Sequence, residues 1–272
     1  MASILTRQPR VSWPPKEWQA IYDLYAEHAA WYSGDPATLL AFYTSRAGFW
    51  AQEVEAGERR LMMHIPIAND LCRMSSRLLF SEHPKITLPD DSDDKSQKRL
   101  QELIEQDGIY AKLSEAAEVC AAMGGVFLKV NWDKNLADHP ILSIAQADNA
   151  VPEWRFGILR KVTFWKTTKD ENGTLVTSVE RHEPGKITNE VYQSRSPGEL
   201  GTQVDLQTLA ALAEAAPPPA EIQTGLDGLA CVYVPNMRPN SRFRGANIGQ
   251  SDFHNLEGML DSLDQVWSSW MR

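Results

Sequence analysis

The sequence predicts an α+β fold, and three observations carry the prediction. Apolar residues recur at helical spacing from Pro14 to Met123, and Gly124-Gly125 then ends the helical pattern. From Val126 to Gln193 the chain turns to β-branched and aromatic runs separated by tight-turn signals. A last helical pattern starts near Ser251 and continues to the end. Runs of helices followed by runs of strands point to α+β rather than an alternating α/β order.

The elements follow in order. Pro14 and Pro15 suit a first helical turn, and Trp18, Ile21, Tyr22, Tyr25, Ala29 and Tyr32 then recur at helical spacing. Gly34-Asp35-Pro36 breaks this helix, and Leu39 to Val54 reads as a second. Together the two carry Trp18, Trp31, Phe42, Phe49 and Trp50, an aromatic set assigned mostly to core with some left for subunit contact. Pro66 opens a third helix, with Asp70 in its first turns and Ile67, Leu71, Met74 and Leu78 as its expected buried stripe. His83-Pro84 ends it. Lys95 to Gln106 and Ile109 to Met123 form two more helices, the latter with Leu113, Ala116, Ala117 and Cys120 on one side for close packing.

Val126 to Trp132 and Ile141 to Ala145 are strands. Ile158 to Thr168 and Thr174 to Glu183 flank Asn172-Gly173, a hairpin turn, and Pro184-Gly185 leads on to Ile187 to Gln193, which makes an antiparallel meander. Thr208 to Glu221, with Pro217-Pro218-Pro219, reads as a short helix and a stiff connector. Leu229 to Val234 is a final strand, followed by a loop with Arg238, Arg242 and Arg244.

Ser251 is placed to cap the last helix. There Phe253, Leu256, Leu260, Leu263, Trp267 and Trp270 alternate at spacings of three and four, a seam suited to packing on a neighbouring subunit. Glu257, Asp261 and Asp264 share a second face about a quarter-turn away. That face has two readings, a solvated surface or the lining of a channel.

Composition bounds the function. The chain has 272 residues and a formal net charge of −9, which gives it no general attraction for a phosphate backbone. No run approaches the length of a membrane span, and Arg7 and Arg10 are followed by no apolar signal core, so the chain reads as made in a cytoplasm. The three cysteines, Cys72, Cys120 and Cys231, lack metal or redox spacing and read as small buried side chains. There is no phosphate loop, no nucleophile elbow and no zinc-protease helix. Glu180 and His182 share a face of a strand, the geometry of a metal pair, but no third ligand accompanies them and a structural histidine is preferred. Asn172-Gly173-Thr174 fits a glycosylation acceptor, and without a secretory signal it is read as a turn. Neither a metal nor a cofactor is expected.

Several segments together resemble the portal proteins of tailed bacteriophages, of the siphophage type found in phages of actinobacteria. They are His64-Ile65-Pro66-Ile67-Ala68-Asn69-Asp70, Ser76 to Pro84, and Ala116-Ala117-Glu118 with Gly124 to Val130. Further on come Asp148 through Val151-Pro152-Glu153, His182 to Ile187, Asn240 to Gly245, and Gly249 to Phe253. The likeness runs over residues 64 to 272 and is loose before that.

The resemblance implies a structural, non-enzymatic subunit of a ring, usually a dodecamer, at one vertex of a viral capsid. Such a ring passes double-stranded DNA without sequence preference during packaging and ejection. Its expected partners are the major capsid protein, the terminase and a head–tail adaptor, with no membrane. Residues 1–60 are then an N-terminal helical arm, 61–245 a wing-like α+β domain with its connector near 208–221, and 246–272 the start of a stem helix. The clip, second stem helix and crown are expected to be absent, as in a fragment or a natural truncation. Glu257, Asp261 and Asp264 become channel-lining candidates. Two other classes stay in view: a cellular protein-binding module using the aromatic N-terminal helices and the Arg238 to Arg244 loop, and a hydrolase using Glu180 and His182.

Overall fold

The computed structural model describes residues 12–44, 46–51, 62–89, 92–134, 136–209 and 217–271. The class is α+β, as the sequence predicts. The chain divides into two compact units, each discontinuous in sequence. One comprises the residues up to Asp23 with Ala147–Val232, the other Leu24–Gln146 with Tyr233–Arg272.

The first unit is an antiparallel sheet. Strands β3 (Ala150–Arg155), β4 (Ile158–Lys169), β5 (Leu175–Glu183), β6 (Lys186–Ser194) and β7 (Thr202–Val204) lie in sequence order, and β8 (Glu221–Gln223) also pairs with β6. The β4–β5 turn forms because the Asp170 carboxylate accepts from the amides of Asn172 and Thr174, at 2.9 and 2.7 Å, around Asn172-Gly173. Trp13 and Tyr22 set ring edges against Trp165, and the Tyr22 hydroxyl donates to the Ala150 carbonyl at 2.6 Å. Burial drives the Tyr22 pKa well above the ordinary phenol value, with the Asp148 charge adding to it. The start of α1 (Gln19–Ser33) is thereby fixed to this sheet, and the helix then runs on into the second unit.

The second unit is mainly helical. Helices α2 (Pro36–Tyr43), α3 (Ile67–Leu79), α4 (Asp94–Gln106), α5 (Ile109–Met123) and α6 (Glu257–Trp270) accompany a small sheet of order β2-β1-β9, formed by β1 (Gly125–Asn131), β2 (Ile141–Gln146) and β9 (Cys231–Pro235). Asp35 caps α2, accepting from the Ala37 and Thr38 amides, and Asp93 caps α4. Gly124, at φ +77°, ends α5 in the left-handed conformation that glycine adopts without strain. Gly249 is required for a different reason: a Cβ there would sit 1.9 Å from the Asn236 carbonyl oxygen.

One core joins distant parts of this unit. Trp31, Leu39, Tyr43, Phe49, Trp50, Cys72, Ala121, Ala122, Met123, Phe253 and Leu260 are buried together. Most of the N-terminal aromatic set is therefore spent inside, and a binding module built on those rings loses its surface.

Two local expectations are corrected. The second helix stops at Tyr43 instead of running to Val54, because the Phe49 amide turns away to donate to Asp261 at 2.9 Å. Residues 45 and 52–61 of that expectation lie outside the described residues. The second concerns α3, where the buried residues are Ala68, Cys72 and Ser76, and Leu71, Met74 and Leu78 are exposed. The Ala-rich segment begins with a helical turn at 207–209, residues 210–216 lie outside the described residues, and Glu221 opens β8.

Candidate assembly surface

Helix α6 begins later than its sequence implies. Ser251 is buried and does not cap it; its Oγ accepts from the Phe253 amide at 3.3 Å in a tight turn. Phe253 is fully buried in the core, so the chain must turn through Asn255, at φ +65°, before a helix can leave. Leu256 occupies the cap position with no side-chain hydrogen bond, and the helix proper starts at Glu257.

The face that α6 turns inward is the polar one. At about 100° per residue, Glu257, Asp261, Asp264 and Ser268 fall within about 60° of one another. Asp264 is 1% exposed. Its carboxylate accepts from the Ile65 amide at 2.9 Å and the Trp50 indole N–H at 3.2 Å, and lies 2.7 Å from His64 Nδ1. Asp261 accepts the Phe49 amide at 2.9 and 3.0 Å. The Ser268 hydroxyl accepts from the Met63 amide at 2.8 Å. These groups satisfy backbone N–H groups at Phe49, Met63 and Ile65, which lie outside helices and strands. Glu257 sits against His28 at 3.4 Å.

The expected acidic stripe is therefore corrected. Its members do share a face, but Asp264 has no surface to offer a channel, Asp261 is held by Phe49, and Glu257 is partly buried. A buried carboxylate needs donors, and here the second unit supplies them.

The opposite face of α6 is apolar and open. Met259, Leu263, Val266 and Trp270 form one stripe, of which Met259 is 69%, Val266 67% and Trp270 80% exposed. The six seam residues divide: Phe253 and Leu260 are buried, Leu256 and Trp267 are intermediate, and Leu263 and Trp270 are exposed. Met259 and Val266 belong to the open stripe and were missed because the seam was drawn through Leu260 and Trp267. Helix α3 repeats the inversion, with small side chains inward and the Leu71, Met74 and Leu78 face outward. Ile67, on that same α3 face, joins Leu256, Met259, Leu263 and Val266 in lining an open, mostly apolar groove of about 580 Å³.

His182 is fully buried with its ring edge on Phe164, and Nε2 meets Glu180 as its partner. No third metal ligand joins the pair among the described residues. Arg238, Arg242 and Arg244 are exposed on a loop organised by Asn240, whose Oδ1 accepts from the Arg242 and Phe243 amides. Among the described residues no helix is long and apolar enough to cross a membrane.

The profile of the family described as phage portal protein, SPP1 Gp6-like, matches residues 15–272, nearly the whole chain. No curated protein shows significant similarity to it.

Proposed function

The chain belongs to the SPP1 Gp6-like phage portal family, and we propose that its copies assemble side by side into a ring at a capsid vertex, with α6 at the contact between neighbours. The observation that carries this reading is the inverted amphipathicity of α6 and α3. Large apolar side chains face water while carboxylates and small residues face the core, a pattern that a lone soluble domain has no reason to keep. Burying a Leu, Met or Val side chain in such a contact is worth about 1.5–3 kcal/mol. A second copy is the occupant that a ring-forming family calls for.

In this proposal the ring passes double-stranded DNA during packaging and ejection and joins head to tail, with capsid protein, terminase and adaptor as its neighbours. The net charge of −9 supports a surface along which a phosphate backbone moves without being gripped. Asp264 of α6 is buried and bonded within the second unit, which speaks against it as part of the lining.

Sedimentation and negative-stain microscopy of the purified chain test the proposal. Rings with a central opening are expected, and Leu263→Asp is expected to shift them to monomers. A chain that stays monomeric at concentrations where it is fully folded rejects it.

A further inference from the structure

Within the second unit, one cluster lies at the start of the inward face of α6. His28 on α1, His254 in the turn before α6, and Glu257 at the helix start bring their ligand atoms within 4.8 Å of one another. His28 is 1% exposed, and neither of its ring nitrogens has a hydrogen-bond partner. His254 Nδ1 and Glu257 Oε1 are likewise buried and without one. His28 Nε2 and Glu257 Oε1 have only their 3.4 Å ion contact with each other, and buried atoms left without a hydrogen bond cost stability unless something binds there.

We propose that these three side chains bind a divalent transition-metal ion, with Zn²⁺ as the best fit. Two imidazoles and one carboxylate form the nitrogen–oxygen set that zinc takes, and they disfavour the all-oxygen preference of Mg²⁺ or Ca²⁺. Tetrahedral Zn²⁺, with bonds of about 2.0–2.1 Å, holds its ligand atoms about 3.3 Å apart. The His28 Nε2 to Glu257 Oε1 separation of 3.4 Å already matches that edge. The remaining ligand atoms lie within 4.8 Å, a gap that a change of side-chain rotamer closes.

The tautomer of His254 is also set for binding. The Ser241 hydroxyl donates to Gln250 Oε1 at 2.7 Å, so at 3.4 Å it is left to accept from His254 Nε2–H. Nδ1 then carries the lone pair and is the ring nitrogen left without a hydrogen bond, while Ser241 orients the ring through Nε2. An ion here would clamp α1 to the turn that launches α6, with a fourth position for water.

Zinc titration of the chelator-stripped full chain by calorimetry, with Co²⁺ absorption as a reporter of tetrahedral geometry, tests the site. One ion per chain is expected, with a rise in unfolding temperature that chelator reverses. His28→Ala, His254→Ala and Glu257→Gln should each weaken binding at least about tenfold, the loss seen even for outer-shell partners, while Cys231→Ser should leave it unchanged. His254 is partly exposed, so its variant decides the matter if His28→Ala does not fold. Absence of saturable uptake, or uptake that depends on Cys231 and survives His254→Ala, overturns the site.

Discussion

Asp264, on the last helix, accepts a hydrogen bond at 2.9 Å from the amide of Ile65, 199 residues earlier in the chain. With Trp50 and His64 on its other contacts, this carboxylate ties α6 to the segment that leads into α3. It also sets which way α6 faces. A helix whose acids are consumed inside must turn its apolar residues out, so the same contact that secures the fold leaves the apolar stripe exposed.

Asp264→Asn should lose about 3 kcal/mol of stability, because its amide cannot accept from all three donors and leaves a buried group unpaired. Urea unfolding of the monomeric form measures this. Asp261→Ala, which frees one partly buried amide, should cost about 1 kcal/mol. A loss under about 0.5 kcal/mol for Asp264→Asn, within the range of ordinary surface changes, would contradict the anchoring role.

Changes on the open stripes should separate assembly from folding. Leu263→Asp with Val266→Asp, or Met74→Asp with Leu78→Asp, should leave the unfolding free energy of the monomer within about 0.5 kcal/mol of the parent. The α6 pair should abolish rings in sedimentation. If that pair unfolds the monomer instead, the stripe is core and not interface.

Thiol labelling checks the second unit's core. Burial, with the nearby Asp252 and Glu118 charges, pushes Cys72 up to about 12, and burial with Asp252 does the same for Cys120. Neither thiolate is populated near neutral pH, so both should label with maleimide only as the protein opens. Cys231, half-buried, should label first. Rapid labelling of Cys120 in the folded chain would contradict the packing of α5.

The segment after β1 should respond to pH. His139 lies 2.8 Å from Asp138 and 2.9 Å from Asp107 at the end of α4, and hydrogen bonds to Asp138 first and Asp107 second raise its pKa. A raised folded pKa means that protonation favours the folded state. The contribution is full below the unfolded value of about 6.5 and disappears as pH rises through the folded value. His139→Gln should therefore lower the urea midpoint more at about pH 5.5 than at about pH 9. Equal losses at both would exclude the coupling.

What the sequence disclosed follows from how local each signal is. The Asn172-Gly173 hairpin, the stop at Gly124 and the helix opened by Pro66 depend on residues next to one another, and the structure keeps all three. Strand β3 escaped notice because Pro152 and the irregularity between Glu153 and Trp154 break its alternation. Strands β7 and β8, at three residues each, are too short to leave a pattern. The α3 stripe was found with its period right and its direction reversed, since periodicity defines a face but not what covers it. In α6 the shared acidic face was also legible. Its donors at Phe49, Trp50 and Ile65 were not, because only the fold brings them there. His28 and His254 meet for the same reason, at opposite ends of the sequence.

A density map of the assembled chain by electron cryomicroscopy tests the central claim most directly. The account predicts a closed ring in which Met259, Leu263 and Val266 of each copy press on its neighbour, while Asp264 stays bonded to Ile65 within its own chain. A ring whose α6 turns Asp264 toward the lumen and leaves Leu263 in solvent would contradict it.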